Sequence, residues 1–504
     1  KKGDVLKKTF LFIFIFISFH CGKQKIIELP ITTKSEKAKE YYKKAIIEWE
    51  SGGYVEKVAY FDSALVQDPE FVMALLYNDN PNQLLRKERE DKAYSLKEEV
   101  TKQEQLILNI TKNLNTGNLD DVLMYSQKLT GQNPQSYEAY NNLGFVYELR
   151  REFLKSKEAF EKAIDLNRDN YFAYDRLWGQ YFSEHGSLKM APDQEKYVDG
   201  GLEYINELIR IRPESGQSYH SKANLYRKIG DFEKAKPFYE KSIQKRKGSS
   251  AEGTALIVSG HNYMFSGDFK TAREQYDLAV QKAPIKESKF NLNNYITWSY
   301  IFQDDYTGAI KNINKIEEKL DVLGFSGEAL LQRKSQLSWQ KFVCYAHNQM
   351  EAKADSALNK NELYREKRIA IFQDDIMNRN NKTTTLYMKA WRDVLFGRYN
   401  TAKDYLNELK QIMEKINSPT AMYDYNNLLG MVALMEGNAE ESLESFDKGD
   451  PDDTYFLYFK ALALRASGDK TGAKKILTDI ANTNFSYWQL ALVRARARTM
   501  LESL

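Results

Sequence analysis

Cysteine and histidine are scarce in this chain of 504 residues. The two cysteines are Cys21 and Cys344, and the five histidines are dispersed, so that no two have the spacing of a metal-binding pair. The sequence therefore predicts no metal site. Cys344 lies in the apolar run from residue 342 to 346, and we expect it to be a small buried side chain.

Catalytic motifs are also missing. The segment from Gly324 to Gly327 is one residue short of a nucleophile elbow, and no predicted strand precedes it. The segment from Gly468 to Lys474 resembles a phosphate-binding loop, but its spacing is wrong for one. Acidic residues are frequent on the predicted helix surfaces, so carboxylate pairs arise there by chance. We therefore expect neither an enzyme nor a cofactor.

Proline is sparse, at ten residues, and no sustained alternation of apolar and polar residues indicates β-strands. Apolar residues instead recur with helical spacing from about Glu36 onward. With 42% hydrophobic and 28% charged residues, the composition is that of a folded, soluble protein. The sequence therefore predicts an all-α fold.

The first residues form a separate segment. Four lysines precede an apolar run from Phe10 to Phe19, which is about half as long as a membrane-spanning helix. The run leads into His20-Cys21-Gly22 and resembles a bacterial lipoprotein signal, in which Cys21 becomes the lipidated first residue and can form no disulfide. His20 departs from the small residue usual at that position. An ordinary secretory peptide cut nearby and an uncleaved anchor are the alternatives.

We accordingly interpret residues 1–20 as a signal peptide and residues 21–36 as a membrane tether. Removing residues 1–20 takes away four lysines and one aspartate, which cancels the net charge of +3. Most nucleic-acid binding depends on an excess of positive charge. The mature chain is therefore predicted not to bind nucleic acid.

A short figure recurs along the chain. A turn residue is followed by an aromatic residue two positions on and by a small residue five positions on, starting at Gly230, Gly267, Asp304 and Gly397. The clearest whole unit runs from residue 137 to 170, and the units repeat about every 34 residues. Recurrence of this kind predicts one helical hairpin copied many times, because a single hairpin cannot bury its apolar face alone.

From about residue 37 to 504 the chain resembles bacterial tetratricopeptide-repeat (TPR) proteins. The resemblance implies an all-α, right-handed superhelical TPR solenoid of about eleven helical hairpins. We divide it into an N-terminal TPR block, residues 37–316, and a C-terminal TPR-like block, residues 317–504, which ends in a capping helix. The irregular segments 78–82, 183–195 and 317–328 interrupt the period.

The resemblance also implies a concave groove lined by residues of the first helix of each hairpin. Carried onto this sequence, the candidate binding residues are Asn141, Phe145, Asp175, His220, Asn224, Arg227, His261, Asn294 and Trp298. Polar and aromatic residues of these types suit an extended peptide, so a protein or peptide partner is expected. The lysine and asparagine pattern of the family's two-carboxylate clamp is not present, since Asp175 and Arg176 follow Asn141 and Asn142.

These observations favour a non-enzymatic scaffold that is lipid-anchored in the bacterial cell envelope, at the outer membrane or the periplasmic face. The scaffold would bind another protein through its concave groove. The alternative is a glycan- or nutrient-binding surface lipoprotein with a SusD-like role. That class uses aromatic platforms on irregular insertions, whereas the six tryptophans here mostly fall within helical periods.

Overall fold

The computed structural model describes residues 26–182 and 194–503. Every named element in these two ranges is helical, and an isolated β-bridge joins Ile27 to Ser136. The predicted all-α fold is confirmed for the described residues. The predicted signal peptide, Cys21 and most of the irregular segment 183–195 lie outside them.

Twenty-five α-helices cover most of the described residues. In the first half they are α1 (Glu36–Ser51), α2 (Tyr54–Gln67), α3 (Val72–Tyr77), α4 (Gln83–Ser95), α5 (Lys102–Thr116), α6 (Leu119–Gln132), α7 (Tyr137–Leu149), α8 (Phe153–Leu166), α9 (Tyr171–Phe182), α10 (Gln194–Ile211), α11 (Gly216–Lys228) and α12 (Phe232–Arg246). The others are α13 (Glu252–Phe265), α14 (Phe269–Lys282), α15 (Lys286–Ile301), α16 (Tyr306–Glu317), α17 (Gly327–His347), α18 (Glu351–Phe372), α19 (Asp375–Leu395), α20 (Tyr399–Met413), α21 (Tyr423–Met435), α22 (Ala439–Asp447), α23 (Thr454–Ala466), α24 (Lys470–Asn482) and α25 (Trp488–Glu502).

Consecutive helices pack in pairs. Over the described residues there are eleven regular hairpins, from α1 with α2 to α23 with α24, together with a shorter pair formed by α3 and α4. The first helices of neighbouring hairpins also contact each other, as α11 does α13 and α21 does α23. We call the side of the solenoid where these first helices meet the inner face. The predicted hairpin solenoid is therefore confirmed.

The recurring residues of the sequence pack the two helices of a hairpin together. A Cβ atom built on Gly260 of α13 would lie 2.4 Å from Cε1 of Tyr276 on α14, so only glycine lets the helices cross this closely. Ala272 and Ala279 of α14 are fully buried. Between the helices, Gly267 has a φ of 98°, and Asp268 caps α14 by accepting a hydrogen bond from the backbone N–H of Thr271.

The predicted boundary between residues 316 and 317 falls within one hydrophobic cluster. This cluster of buried side chains extends from Leu256 to Ala497 and includes residues of both predicted blocks. A second cluster, from Leu29 to Val146, lies under the N-terminal hairpins. The loop between α16 and α17 contributes Leu320 and Phe325 to the larger cluster, so the two blocks share packing there.

The described end of the predicted tether, residues 26–35, is packed against the hairpins instead of being a free linker. The backbone N–H of Leu29 donates to the Glu138 carboxylate of α7, and that of Thr32 donates to Glu104 of α5 over 2.8 Å. The Thr33 hydroxyl donates to Asp68 over 2.6 Å. The solenoid therefore holds the chain in an extended path before α1 begins.

Distant hairpins of the solenoid touch one another. Arg212, at the end of α10, forms an ion pair with Glu50 of α1. The backbone N–H of Asp120 donates to the carbonyl of Asn417 over 3.2 Å, and the N–H of Asn417 donates to the Asn118 side chain over 3.2 Å. Contacts between residues almost 300 positions apart mean that the solenoid folds back on itself at these points.

Candidate binding site

Three of the predicted groove residues lie on α7 and α9 and are half-buried. Asn141 exchanges side-chain hydrogen bonds of 3.1 and 2.8 Å with Asn170 at the start of α9. The guanidinium of Arg176 stands 5.6 Å from the ring centroid of Phe145. Asp175 accepts a hydrogen bond of 2.9 Å from the indole N–H of Trp178, and burial raises the pKa of this carboxyl. These side chains therefore have partners within the chain and still reach the surface in part.

The predicted residues of α11 and α13 are more deeply enclosed. The Tyr239 hydroxyl donates to Asn224 over 2.8 Å, and His261 Nδ1 is hydrogen-bonded to the Tyr276 hydroxyl at 2.7 Å. His220 lies 3.4 Å from a guanidinium nitrogen of Arg246. Burial, with the positive charge of nearby arginines, holds the pKa values of both histidines well below their usual range. Both imidazoles are therefore neutral near pH 7.

Arg227 is almost wholly enclosed and has no carboxylate partner among the described residues. Its Nε–H donates to the carbonyl of Asn484 over 3.1 Å, and an Nη atom donates to the carbonyl of Val258 over 3.4 Å. Phe265 and Phe485 lie within 6 Å of the guanidinium. Arg227 thus joins α11 to the segment that precedes α25, more than 250 residues away in the chain.

The remaining predicted residues, Asn294 and Trp298, lie on α15. Asn294 accepts a hydrogen bond of 2.8 Å from Gln340 of α17, and the Trp298 ring packs edge-on against Trp339 with a centroid distance of 5.9 Å. Trp339 in turn contacts Trp488 of α25, and Trp488 contacts Trp391. Four of the six tryptophans therefore pack in one cluster, which is the arrangement of a core rather than of a sugar-binding platform. Trp49 is different, since 46% of its surface is exposed.

The C-terminal helix α25 accounts for much of this burial. It packs on α23 and α24, as a capping helix would, and it also contacts α15 of the middle repeats. Arg496 of α25 donates a hydrogen bond of 3.2 Å to the Tyr306 hydroxyl of α16. The inner face of the middle repeats is therefore covered by the end of the same chain. Whether the nine predicted residues bind a partner stays a prediction.

A cavity of about 390 Å³ remains beside α25, at the ends of α13 and α15. Its walls are formed by Met264, Phe265, Gly267, Phe269, Phe302, Gln303, Arg494, Ala495 and Arg498. The Phe265 and Phe302 rings meet edge to face with centroids 5.4 Å apart. The cavity is thus apolar on the side of the repeats and carries two guanidinium groups on the side of α25.

The Arg494 side chain is the most enclosed charged group of this cavity. Only 6% of its surface is exposed, and its guanidinium stands 4.9 Å from the Phe265 ring centroid. One Nη atom donates to the Asn484 side chain over 2.7 Å, whereas Nε has no hydrogen-bond acceptor within the described chain. Burial, and then the nearby Arg498, lowers the pKa of Arg494 to about 9.

The sequence pattern did not point to this cavity. Arg494, Arg496 and Arg498 recur at every second position, which spreads them around a helix. The structure places Arg494 against α13 and Arg496 against α16, while Arg498 is exposed. A buried position for an arginine within an apolar helix face is the signal that an analysis of the pattern could have used. No group of residues in the described ranges could hold a metal ion.

Comparison with known families identifies the repeated unit. The tetratricopeptide-repeat family model matches residues 137–170, which contain α7 and α8, and residues 216–244, which contain α11 and most of α12. The chain therefore contains tetratricopeptide repeats, and the same hairpin recurs along the described residues as a TPR solenoid. No curated protein matches the sequence.

Several solved structures are similar to this chain at low identity. A tetratricopeptide repeat protein from Parabacteroides merdae ATCC 43184 is 13% identical, with 59% of this chain and 98% of that chain covered and a TM-score of 0.34. The APC/C hetero-tetramer Cut9–Hcn1 gives 12% identity, 88% and 75% coverage and a TM-score of 0.33. A thermophilic TPR protein from Thermus thermophilus gives 14% identity, 51% and 98% coverage and a TM-score of 0.22.

Proposed function

We propose that this protein is a non-catalytic scaffold that binds another protein and is held in the bacterial cell envelope by a lipid on Cys21. The observation that carries the scaffold role is the match of two hairpins to the tetratricopeptide-repeat model, within a longer array of the same hairpin. Arrays of this kind present long inner surfaces that bind other proteins.

The anchor is supported by the sequence before residue 26. Its lysines, apolar run and Cys21 resemble a lipoprotein signal. No helix among the described residues has the length and apolar character that crossing a bilayer requires. A lipid on Cys21, with the solenoid packed against residues 26–35, would hold the N-terminal hairpins near the membrane surface.

We assign the protein partner to the inner face of α7 and α9. Asn224, Arg227, His261 and Trp298 are at least nine-tenths buried, so they are closed to a partner while α25 is in place. Asn141, Phe145 and Asp175 are half-buried, and they lie in the part of the solenoid that α25 does not contact. An extended segment of a partner would find polar and aromatic groups there.

Photo-crosslinking in intact cells tests this proposal. A photoreactive amino acid at Phe145 is expected to capture a discrete partner protein, whereas the same amino acid at Leu154 of α8, which is 68% exposed, should not. The Cys21→Ser variant should leave the membrane fraction and lose the lipid label. Equal capture from both positions would contradict the assigned face, and a membrane-bound Cys21→Ser variant without lipid labelling of the wild type would contradict the anchor.

A further inference from the structure

The cavity beside α25 holds positive charge that the described part of the chain leaves unpaired. Arg494 donates to an amide oxygen and Arg498 to the carbonyl of Ala481, and neither forms an ion pair with an aspartate or glutamate of that part. A buried charge is costly unless a partner compensates for it. The geometry therefore lacks an anion on this wall of the cavity.

Asn484 fixes the buried arginines in place. Its side-chain oxygen accepts the hydrogen bond from Arg494, and its carbonyl accepts the bond from Arg227 of α11. Phe265 lies between the two guanidinium groups, at 4.9 Å from Arg494 and 5.9 Å from Arg227. Because these contacts hold the Arg494 side chain, an anion would meet a preorganised guanidinium, which lowers the entropy that binding must offset.

The opposite wall suits an apolar group. Met264, Phe265, Phe269 and Phe302 line it, and Gln303 adds one amide at the rim. A cavity of about 390 Å³ lies at the lower end of the range for small-molecule sites. A ligand there would bury an apolar body against the rings while its charged end faced α25.

We propose that this cavity binds a small organic anion in which a carboxylate is joined to an apolar body. The carboxylate accepts hydrogen bonds from Nε of Arg494 and from the guanidinium of Arg498, and the apolar body packs against Phe265, Phe269 and Phe302. This site is separate from the inner face of α7 and α9, and it needs neither the lipid anchor nor the protein partner.

Calorimetry and thermal unfolding of the full chain test the ligand class. The probes are 4-phenylbutyrate, its uncharged amide, and inorganic phosphate. We expect 4-phenylbutyrate to bind and to raise the unfolding temperature, because a ligand that binds only the native state stabilises it. The amide, which lacks the charge, and phosphate, which lacks the apolar body, should bind at least about tenfold more weakly.

Three variants of α25 test the location. Arg494→Met and Arg498→Met should each weaken 4-phenylbutyrate binding by about tenfold or more. Arg496→Met is the matched control, since Arg496 contacts Tyr306 and is not part of the cavity wall. It should bind the probe as the wild type does. Arg498 is exposed, so its variant keeps the test valid even where Arg494→Met fails to fold.

Several results would overturn the proposal. One is the absence of 4-phenylbutyrate binding at concentrations up to about 10 mM, which corresponds to a negligible affinity. Equal binding of the acid and its amide would remove the role of the charge, and equal binding of phosphate would leave only an anion site. An effect of Arg496→Met as large as that of Arg498→Met would place the ligand elsewhere.

Discussion

At the scale of single residues, the repeats depend on positions where a side chain is small or missing. Gly144, Gly260 and Gly430 each lie against an aromatic ring of the second helix, namely Phe160, Tyr276 and Phe446. Sequence reasoning could predict these crossing points, because the small residue and the aromatic recur at fixed spacing. It could not predict which inner-face residues are exposed, since Arg227 and His261 are covered by segments far along the chain.

The Gly260→Ala variant is expected to destabilise the protein. Its new Cβ would meet the Tyr276 ring at 2.4 Å and the carbonyl of Ala272 at 3.1 Å, so α13 and α14 would have to separate. Overpacking of this kind costs about 1–3 kcal/mol. Chemical denaturation monitored by circular dichroism measures the change in the free energy of unfolding.

Gly179→Ala is the matched control for this substitution. Gly179 lies within α9, and a Cβ there would have no heavy atom within 4 Å. Alanine is the better helix former by about 0.8–1 kcal/mol, so this variant should be neutral or slightly more stable. A loss of stability at Gly179 equal to that at Gly260 would show that the crossing distance is not the cause.

At the scale of helices, the hairpins were predictable because each one satisfies local rules. Turn residues, caps and apolar spacing gave α7 with α8 and the long pair α17 and α18, which correspond to the two longer helices expected between residues 327 and 377. The capping helix α25 was expected as well. Its contact with α15 was not, because nothing in the local spacing of residues 485–504 reports on a helix two hundred positions away.

The start of α23 provides a prediction about pH. Asp453 caps this helix by accepting a hydrogen bond of 2.9 Å from the N–H of Tyr455. Burial, and then the negative charge of Asp450, raises the pKa of Asp453 to about 7. The folded state therefore binds a proton more tightly than the unfolded state, whose aspartate pKa is about 3.9. Stability from this group is greatest at low pH and is lost as the pH rises from about 4 to about 7.

Asp453→Asn should abolish this loss, because asparagine keeps the cap but carries no charge. Its unfolding temperature should exceed that of the wild type at pH 8, and the difference should shrink toward pH 5. The control is Asp374→Asn at the start of α19. There the backbone N–H of Met377 holds the pKa of Asp374 below its usual range, so that variant should lose stability at pH 8. The same sign for both variants would contradict the assignment.

At the scale of the whole molecule, contacts between distant hairpins distinguish this solenoid from one in which each repeat meets only its neighbours. They join α1 to α10, the start of α6 to the loop after α20, and the α7–α8 turn to the loop before α23. Such contacts depend on the summed rotation of many hairpins. A small error in each step accumulates along the chain, so the repeat period that predicted the hairpins could not predict where distant ones meet.

Arg151 makes one of these contacts testable. It occupies the turn between α7 and α8 with a φ of 62°, and it forms ion pairs with Asp450, at 2.8 Å, and with Asp452. Its guanidinium also stands 5.7 Å from the ring centroid of Tyr423. Without Arg151, the carboxylates around the loop before α23 would face one another without this cation, and the two distant segments would separate more often.

Arg151→Ala is therefore expected to destabilise the closed arrangement by on the order of 1–3 kcal/mol, the usual contribution of a hydrogen bond to a charged group. Amide hydrogen exchange measures this locally, because exchange reports the free energy of local opening. We expect faster exchange in residues 148–153 and in residues 450–456 at the same time, although they are about 300 positions apart. Lys155→Ala is the control, since Lys155 pairs with Glu152 inside the same hairpin and should leave the distant segment unchanged. Faster exchange confined to the α7–α8 turn of Arg151→Ala would mean that the contact does not hold the solenoid closed. Coupled opening of both segments would establish that the ends of this repeat array are held together by charge as well as by the packing of α25.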